Sequence, residues 1–270
     1  MRLPRLGALA FCLFAAAAPA SAETLIVGNE GTYPPFSMKQ PDGALVGIEP
    51  DLVREMCKRM AIECEFSVMD FQALIPSLLQ GKIDMLGSQL TPLPERKAKM
   101  LFAKAIIFNH DTFVYRKDKT YDFANKEAMK DVVIGVQSGT PQAKYVQTTY
   151  GDVLTPKLYT NPDQMRLDLL AGRLDMVFGA NLNWTSSLID KPEGKDWRLA
   201  DFTVWTGDPT LPEAERGSSW TVPKGKEALV EKMNAALEAM LADCSFTKIR
   251  EKYLSVPISP DEKACVGKAG

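Results

Sequence analysis

Leu78-Leu79-Gln80-Gly81-Lys82-Ile83-Asp84-Met85 recurs as Leu169-Leu170-Ala171-Gly172-Arg173-Leu174-Asp175-Met176. Each copy reads as the end of a helix, a glycine that stops it, a basic residue and an apolar strand. Upstream of each copy a further apolar run leads to a Gly-Thr pair: Val27-Gly28 to Gly31-Thr32, and Ile134-Gly135 to Gly139-Thr140. Helix, glycine cap and strand is also a common junction, so the match alone allows a single domain. Two similar α/β lobes is the reading adopted, because the upstream strands repeat as well.

The surrounding segments fit that plan. Leu25 to Gly28, Cys64 to Val68 and Ile83 to Leu86 read as short buried strands. Between them, Asp51 to Met60 places Leu52, Val53, Met56 and Met60 on one helical face, and Phe71 to Gln80 does the same with Leu74, Ile75, Leu78 and Leu79. Glu49, just before the first of these helices, suits its dipole, and Pro76 is expected to kink or shorten the second. Strands alternating with helices imply a parallel, doubly wound sheet. Ser219 to Val222 reads as a strand, followed by helices over Lys226 to Cys244 and Phe246 to Tyr253. If the second lobe ends near Trp205, this tail returns to the first, and two chain crossings make a hinge.

At the start of the chain, Arg2 and Arg5 precede an apolar run from Leu6 to Ala18 and then Ala20-Ser21-Ala22. That is the pattern of a secretory leader, with cleavage expected after Ala22. Cys12 falls inside the apolar run and is read as part of it. The run is too short to span a bilayer. The 32 basic and 34 acidic residues are well mixed, at a net charge of −2. Such a surface carries no basic stripe for nucleic acid or an anionic membrane.

Past the leader remain Cys57, Cys64, Cys244 and Cys265, an even set in an oxidising compartment. Three pairings are open. Cys57 with Cys64 and Cys244 with Cys265 is preferred, because each joins a predicted helix to the segment just after it. The single histidine, His110, and the cysteine spacing give no metal site, and no cofactor is expected.

Ligands of α/β sheets sit beyond the carboxyl ends of the strands. Asn29, Glu30, Gly31, Thr32 and Tyr33 follow the first strand, and Ser88, Gln89, Thr91 and Arg96 follow the strand at Ile83 to Leu86. Hydroxyl, amide, helix start and guanidinium together suit a carboxylate. By spacing alone, Arg96 reads equally well as a solvated surface charge.

Tyr33-Pro34-Pro35-Phe36, Gly47-Ile48-Glu49-Pro50-Asp51-Leu52, Met56-Cys57-Lys58-Arg59-Met60, Ala73-Leu74-Ile75-Pro76-Ser77-Leu78, Thr91 to Arg96 and Gly135-Val136-Gln137-Ser138-Gly139-Thr140 resemble the polar amino-acid-binding proteins of ABC importers. The likeness is greatest to those for lysine, arginine, ornithine and histidine, whose disulfide has the Cys57 to Cys64 spacing. The resemblance spans the chain after the leader. It implies two similar doubly wound α/β lobes of the type II periplasmic binding fold, joined by a two-segment hinge. The first lobe would take residues 23–110 and 206–270, and the second 111–205. It further implies a periplasmic, monomeric protein that closes on a small carboxylate-bearing solute and delivers it to a membrane transporter.

Carried over by position, Arg96 would hold the solute carboxylate with Thr91 and Thr140, and Ser88 and Gln89 would meet its amino side. Tyr33 and Phe71 would sandwich its side chain, and Glu30 would face a cationic group. Gln137 and Gln142 lie in the second-lobe loop beside Thr140. One position departs from the pattern: where the family has an acid for the ligand ammonium, this chain has Ala180, followed by Asn181, itself a candidate contact. Either Glu30 takes over that neutralisation, or the ligand is an opine-like conjugate, a modified amino acid or a carboxylate without a free amine. A periplasmic dehydratase of the cyclohexadienyl type, with Glu30 as general acid, is the alternative function. Phe36, Trp184, Trp197, Trp205 and Trp220 are read as packing residues, and His110 as a local one.

Overall fold

The computed structural model describes residues 24–267, so the expected leader, Met1–Ala22, lies outside the described residues. The chain begins with β1 (Thr24–Asn29), a small three-stranded ribbon (Thr32–Tyr33, Ser37–Lys39, Leu45–Val46), α1 (Ile48–Met60) and β2 (Glu63–Val68). Next come α2 (Phe71–Leu79), β3 (Met85–Leu90), α3 (Pro94–Lys97) and β4 (Met100–Phe102). A second set follows: β5 (Asp111–Arg116), β6 (Ile134–Gln137), α4 (Pro141–Tyr150), β7 (Lys157–Tyr159), α5 (Pro162–Leu170), β8 (Met176–Ala180), α6 (Asn181–Trp184) and β9 (Trp197–Leu199). The chain then returns through β10 (Ser219–Pro223), α7 (Glu227–Ala242) and α8 (Ser245–Glu251).

These strands build two five-stranded sheets of matching plan, β2-β1-β3-β10-β4 and β7-β6-β8-β5-β9. In each, the first three strands are parallel. The fourth, β10 or β5, runs antiparallel beside them. The sheets are therefore mixed rather than purely parallel. The cause is local: β5 and β10 are the strands that arrive from the other sheet, with no crossover helix to turn them round.

The sequence repeat occupies equivalent places. Gly81 and Gly172 end α2 and α5 at φ +69° and +70°, a conformation open to glycine at little cost. Asp84 and Asp175 then latch the neighbouring strand. Asp84 Oδ2 accepts from Ile26 N at 2.9 Å, and Asp84 N donates to Ile26 O at 2.8 Å. Asp175 Oδ2 accepts from Val133 N at 2.8 Å, and Asp175 N donates to Val133 O at 3.0 Å. The repeat is thus a strand-pairing device used once per sheet.

Packing follows the apolar stripes. Leu52, Val53 and Met56 of α1 are fully buried against β1 and the α7 residues Met233, Leu237 and Met240, each contributing about 1.5–3 kcal/mol. The second sheet buries Phe113, Ile134, Val136, Val146 and Phe178 on one face and Val114, Leu169, Val177 and Leu188 on the other. α1 starts earlier than its apolar periodicity suggested, so Glu49 and Pro50 lie inside its first turn. α2 continues through Pro76, which forfeits only one ladder bond in that short helix. The preferred cysteine pairing is the one present. Cys57–Cys64 ties α1 to β2, and Cys244–Cys265 ties the α7–α8 corner to the C-terminal turn, with Cα separations of 6.2 and 5.4 Å.

Two segments cross between the sheets, from β4 to β5 and from β9 to β10, and they pair with each other. Isolated bridges join Ile107 to Ser218 and Asp111 to Val204. The lobes also touch away from these crossings, through Asn183 Nδ2 donating to Pro34 O at 2.9 Å and Ser138 Oγ donating to Gln72 at 3.3 Å.

Candidate ligand-binding cleft

The carboxyl ends of β1, β3, β6 and β8 converge on a cleft between the two lobes. Asn29, the last residue of β1, is buried and pins this end of the first sheet. Its Nδ2 donates to Gly87 O at 2.8 Å, while its Oδ1 accepts from Gly31 N and from the Ser37 hydroxyl. The backbone N of Glu30 is then fixed on Ser88 Oγ at 3.1 Å, which directs the Glu30 side chain into the cleft. From the other lobe, Gln137 Nε2 donates to Glu30 Oε2 at 3.3 Å.

Three buried carboxylates line this space: Glu30, Glu49 and Asp111. Burial pushes the Glu30 carboxyl up to about 8, the Gln137 amide offsetting part of that and Asp70 adding to it. Glu49 enters from the first turn of α1, where Trp220 Nε1 donates to it at 3.4 Å, and burial raises it well above the carboxylate range. Asp111 opens β5; burial pushes it up to about 6 against the opposing bonds from Thr206 and Gln142. Burial and then all three acids, Asp111 first, drive the Tyr33 phenol well above its ordinary value, so the acids surround one point. None of the three has a cationic partner among the described residues. Glu30 Oε1, Gln89 Nε2 and Gln142 Oε1 are buried atoms of the cleft wall with no hydrogen-bond partner. Unpaired buried polar atoms are costly, and three of the six found among the described residues lie in this one wall.

The one buried cation nearby is Arg96, 8% exposed. It is not itself part of the cleft wall. Its guanidinium rests on carbonyls from both lobes, Thr91 O at 3.2 Å and Gly139 O at 3.3 Å. Thr91, and Thr140 next to Gly139, do line the cleft. Burial lowers Arg96 to about 10, opposed only by Glu95. Arg96 is therefore a desolvated, interlobe group and not the solvated surface charge its spacing also allowed.

Of the eleven residues singled out in the sequence, nine line the cleft: Glu30, Tyr33, Phe71, Ser88, Gln89, Thr91, Gln137, Thr140 and Gln142. The Thr140 hydroxyl is already committed, donating to Gln137 O at 2.6 Å and capping α4 through Ala143 N at 3.2 Å. Asn181 does not line it. As the first residue of α6 it donates its backbone N to His110 O, and its side chain accepts from Thr185 one turn on. Trp205, read as packing, is in fact a cleft residue held by Nε1 to Asp208 O at 2.9 Å. Glu49, Asn109, Asp111 and Thr206 were not singled out for the site. Beyond Tyr33, Gln137, Gln142 and Ala180 the cleft continues into a second chamber walled by Pro34, Met165, Phe178 and Trp184.

Residues 25–256 match the model of the bacterial extracellular solute-binding proteins, family 3. The L-arginine-binding protein of Pseudomonas aeruginosa is 30% identical over 265 residues, covering 95% of this chain and 98% of that protein. The lysine/arginine/ornithine-binding periplasmic protein of Escherichia coli is 30% identical over 247 residues, covering 88% and 90%. Among solved structures, an ancestral arginine-binding protein bound to arginine superposes with a TM-score of 0.76 at 30% identity, covering 86% of this chain and 98% of that one.

Proposed function

We infer that this chain, which belongs to the bacterial extracellular solute-binding proteins of family 3, captures a cationic amino acid or a close derivative by closing its lobes, and hands it to a membrane ABC transporter. The observation that carries the reading is the charge pattern of the cleft: three buried carboxyl groups without a cationic partner, beside one desolvated guanidinium without an acid in contact, among the described residues. A solute with one carboxylate and more than one positive group neutralises both ends. Arg96 takes the carboxylate with Thr91 and the start of α4, Tyr33 and Phe71 hold the side chain, and Ser88, Gln89 and Gln137 supply polar contacts. The second chamber gives room to a substituted derivative.

In this reading the lobes are residues 23–110 with 206–270, and 111–205, and they hinge at the paired crossings. Ligand favours closure because it touches both lobes, and only the difference in affinity between the closed and open states does work. The protein acts as a monomer in the periplasm after cleavage behind Ala22.

Thermal unfolding in the presence of L-arginine, L-lysine, L-ornithine, L-histidine and L-glutamate tests this. At 1,000 times Kd a ligand adds about 4 kcal/mol, so a cationic amino acid is expected to raise Tm by about 10 °C. L-glutamate is expected to raise it by nothing measurable. The gain should grow from pH 5 to pH 8, because Glu30 near 8 and Asp111 near 6 must lose protons to pair with a cation. An equal gain with L-glutamate, or no gain with any of the five, contradicts the reading.

A further inference from the structure

We propose that the ammonium group of the solute is held by Asp111, on the strand beside Ala180, so that the ligand class is a primary α-amino acid. This rests on the capture of a cationic amino acid proposed above. Asp111 stands opposite Ala180 in the antiparallel pairing of β5 with β8. Opposed residues of such a pair lie about 4.5–5.5 Å apart at Cβ and share a face. Both line the cleft, and the Ala180 methyl leaves the space in front of Asp111 to a solute.

The partners of Asp111 are neutral. Gln142 Nε2 donates to Oδ1 at 2.8 Å and Thr206 Oγ1 donates to Oδ2 at 2.7 Å. Each carboxylate oxygen keeps a lone pair, and the carboxylate, 3% exposed, has no positive charge facing it among the described residues. Gln142 itself brings a second, unpartnered buried atom, Oε1, to the same wall, an acceptor that suits an ammonium donor.

The segment that leads into α4 bears on which positive group Asp111 meets. The loop that leads into α4 touches Arg96 through Gly139 O, and the first turn of α4 touches Asp111 through the Gln142 amide. An anion clamp and a cation clamp that both bear on the short segment 139–142 suit the carboxylate and ammonium of one α-carbon better than the two ends of a long side chain. Glu30 and Glu49, which enter from the first lobe, are left to the distal cation. Asp111 also bonds, by backbone and by side chain, to the returning crossing at Val204 and Thr206. Ammonium binding therefore reports directly to both hinge segments.

Calorimetric titration with L-arginine and with 5-guanidinopentanoate, which lacks only the α-ammonium, tests the assignment. The wild type is expected to prefer L-arginine by about 100-fold. Asp111→Asn should bring the two within about threefold, by loss on L-arginine. Asp111→Asn combined with Ala180→Asp should restore the preference across the strand pair. In the wild type, carbon NMR of the Asp111 carboxyl should show its pKa falling when L-arginine binds and not when 5-guanidinopentanoate binds, a reading that needs no variant to fold. Equal wild-type affinity for the two compounds, a preference that survives Asp111→Asn, or an unmoved carboxyl overturns the assignment while capture itself stands. If neither compound binds, both readings fall.

Discussion

Arg96→Ala is expected to weaken binding of L-arginine by at least about 100-fold, in a calorimetric titration against the wild type. Arg96 is 8% exposed and has no acid in contact among the described residues; its two hydrogen bonds go to neutral carbonyls, Thr91 O and Gly139 O. Those bonds are long, and they leave most of its five donors for a carboxylate, which accepts them in matched, planar geometry. Because the carbonyls come from different lobes, a carboxylate placed on Arg96 is gripped at the line where the lobes meet. Arg96→Lys keeps the charge and loses the fork, so an intermediate loss of about tenfold is expected. Unchanged affinity in Arg96→Ala would remove the carboxylate clamp.

The largest effect on stability is expected from the ion pair that anchors the C-terminal segment. Arg250 and Glu262 are both fully buried, with Arg250 Nε donating to Glu262 Oε2 at 2.9 Å. Arg250 Nη1 also donates to Leu254 O and Ser255 O, and Glu262 Oε1 accepts from Ile258 N and Ser259 N. Removing one partner strands the other charge in the core. Arg250→Ala or Glu262→Ala should cost about 3–5 kcal/mol, read as a fall in Tm of about 10 °C. Arg250→Met with Glu262→Gln should recover much of that loss, since no unpaired charge is left and the glutamine oxygen still accepts the two backbone N–H groups. A single-variant loss under about 1 kcal/mol would show that the pair is not the anchor.

Much of the fold and of the cleft is legible in the sequence alone. The repeat Leu78 to Met85 and Leu169 to Met176 marks the two sheets because each copy carries a complete junction: helix stop, latch aspartate and buried strand. Glu30, Ser88, Gln89, Thr91 and Gln137 were legible because they lie at or just after the ends of strands that the apolar runs delimit. What stayed hidden comes from the crossings and from helix phase. Asn109, Asp111, Trp205 and Thr206 sit in segments with no periodic pattern, and only the pairing of two distant crossings brings them to the cleft. Glu49 reads as a helix-dipole residue in the sequence; the helix starts at Ile48, three residues before the expected Asp51, and its first turn faces Trp220 and the cleft. Asn181 lies off the cleft wall because α6 begins there and its side chain accepts from Thr185 one turn on. The antiparallel fourth strands were missed for a similar reason, since strand direction depends on where the chain has come from and not on composition.

A crystal structure of the protein grown with L-arginine measures directly where a bound solute sits. Its carboxylate is expected within about 3 Å of the Arg96 guanidinium, with its α-ammonium facing Asp111 and its side-chain guanidinium toward Glu30 and Glu49. L-arginine bound away from the interlobe cleft, or lying in it with the carboxylate turned from Arg96, would contradict the account.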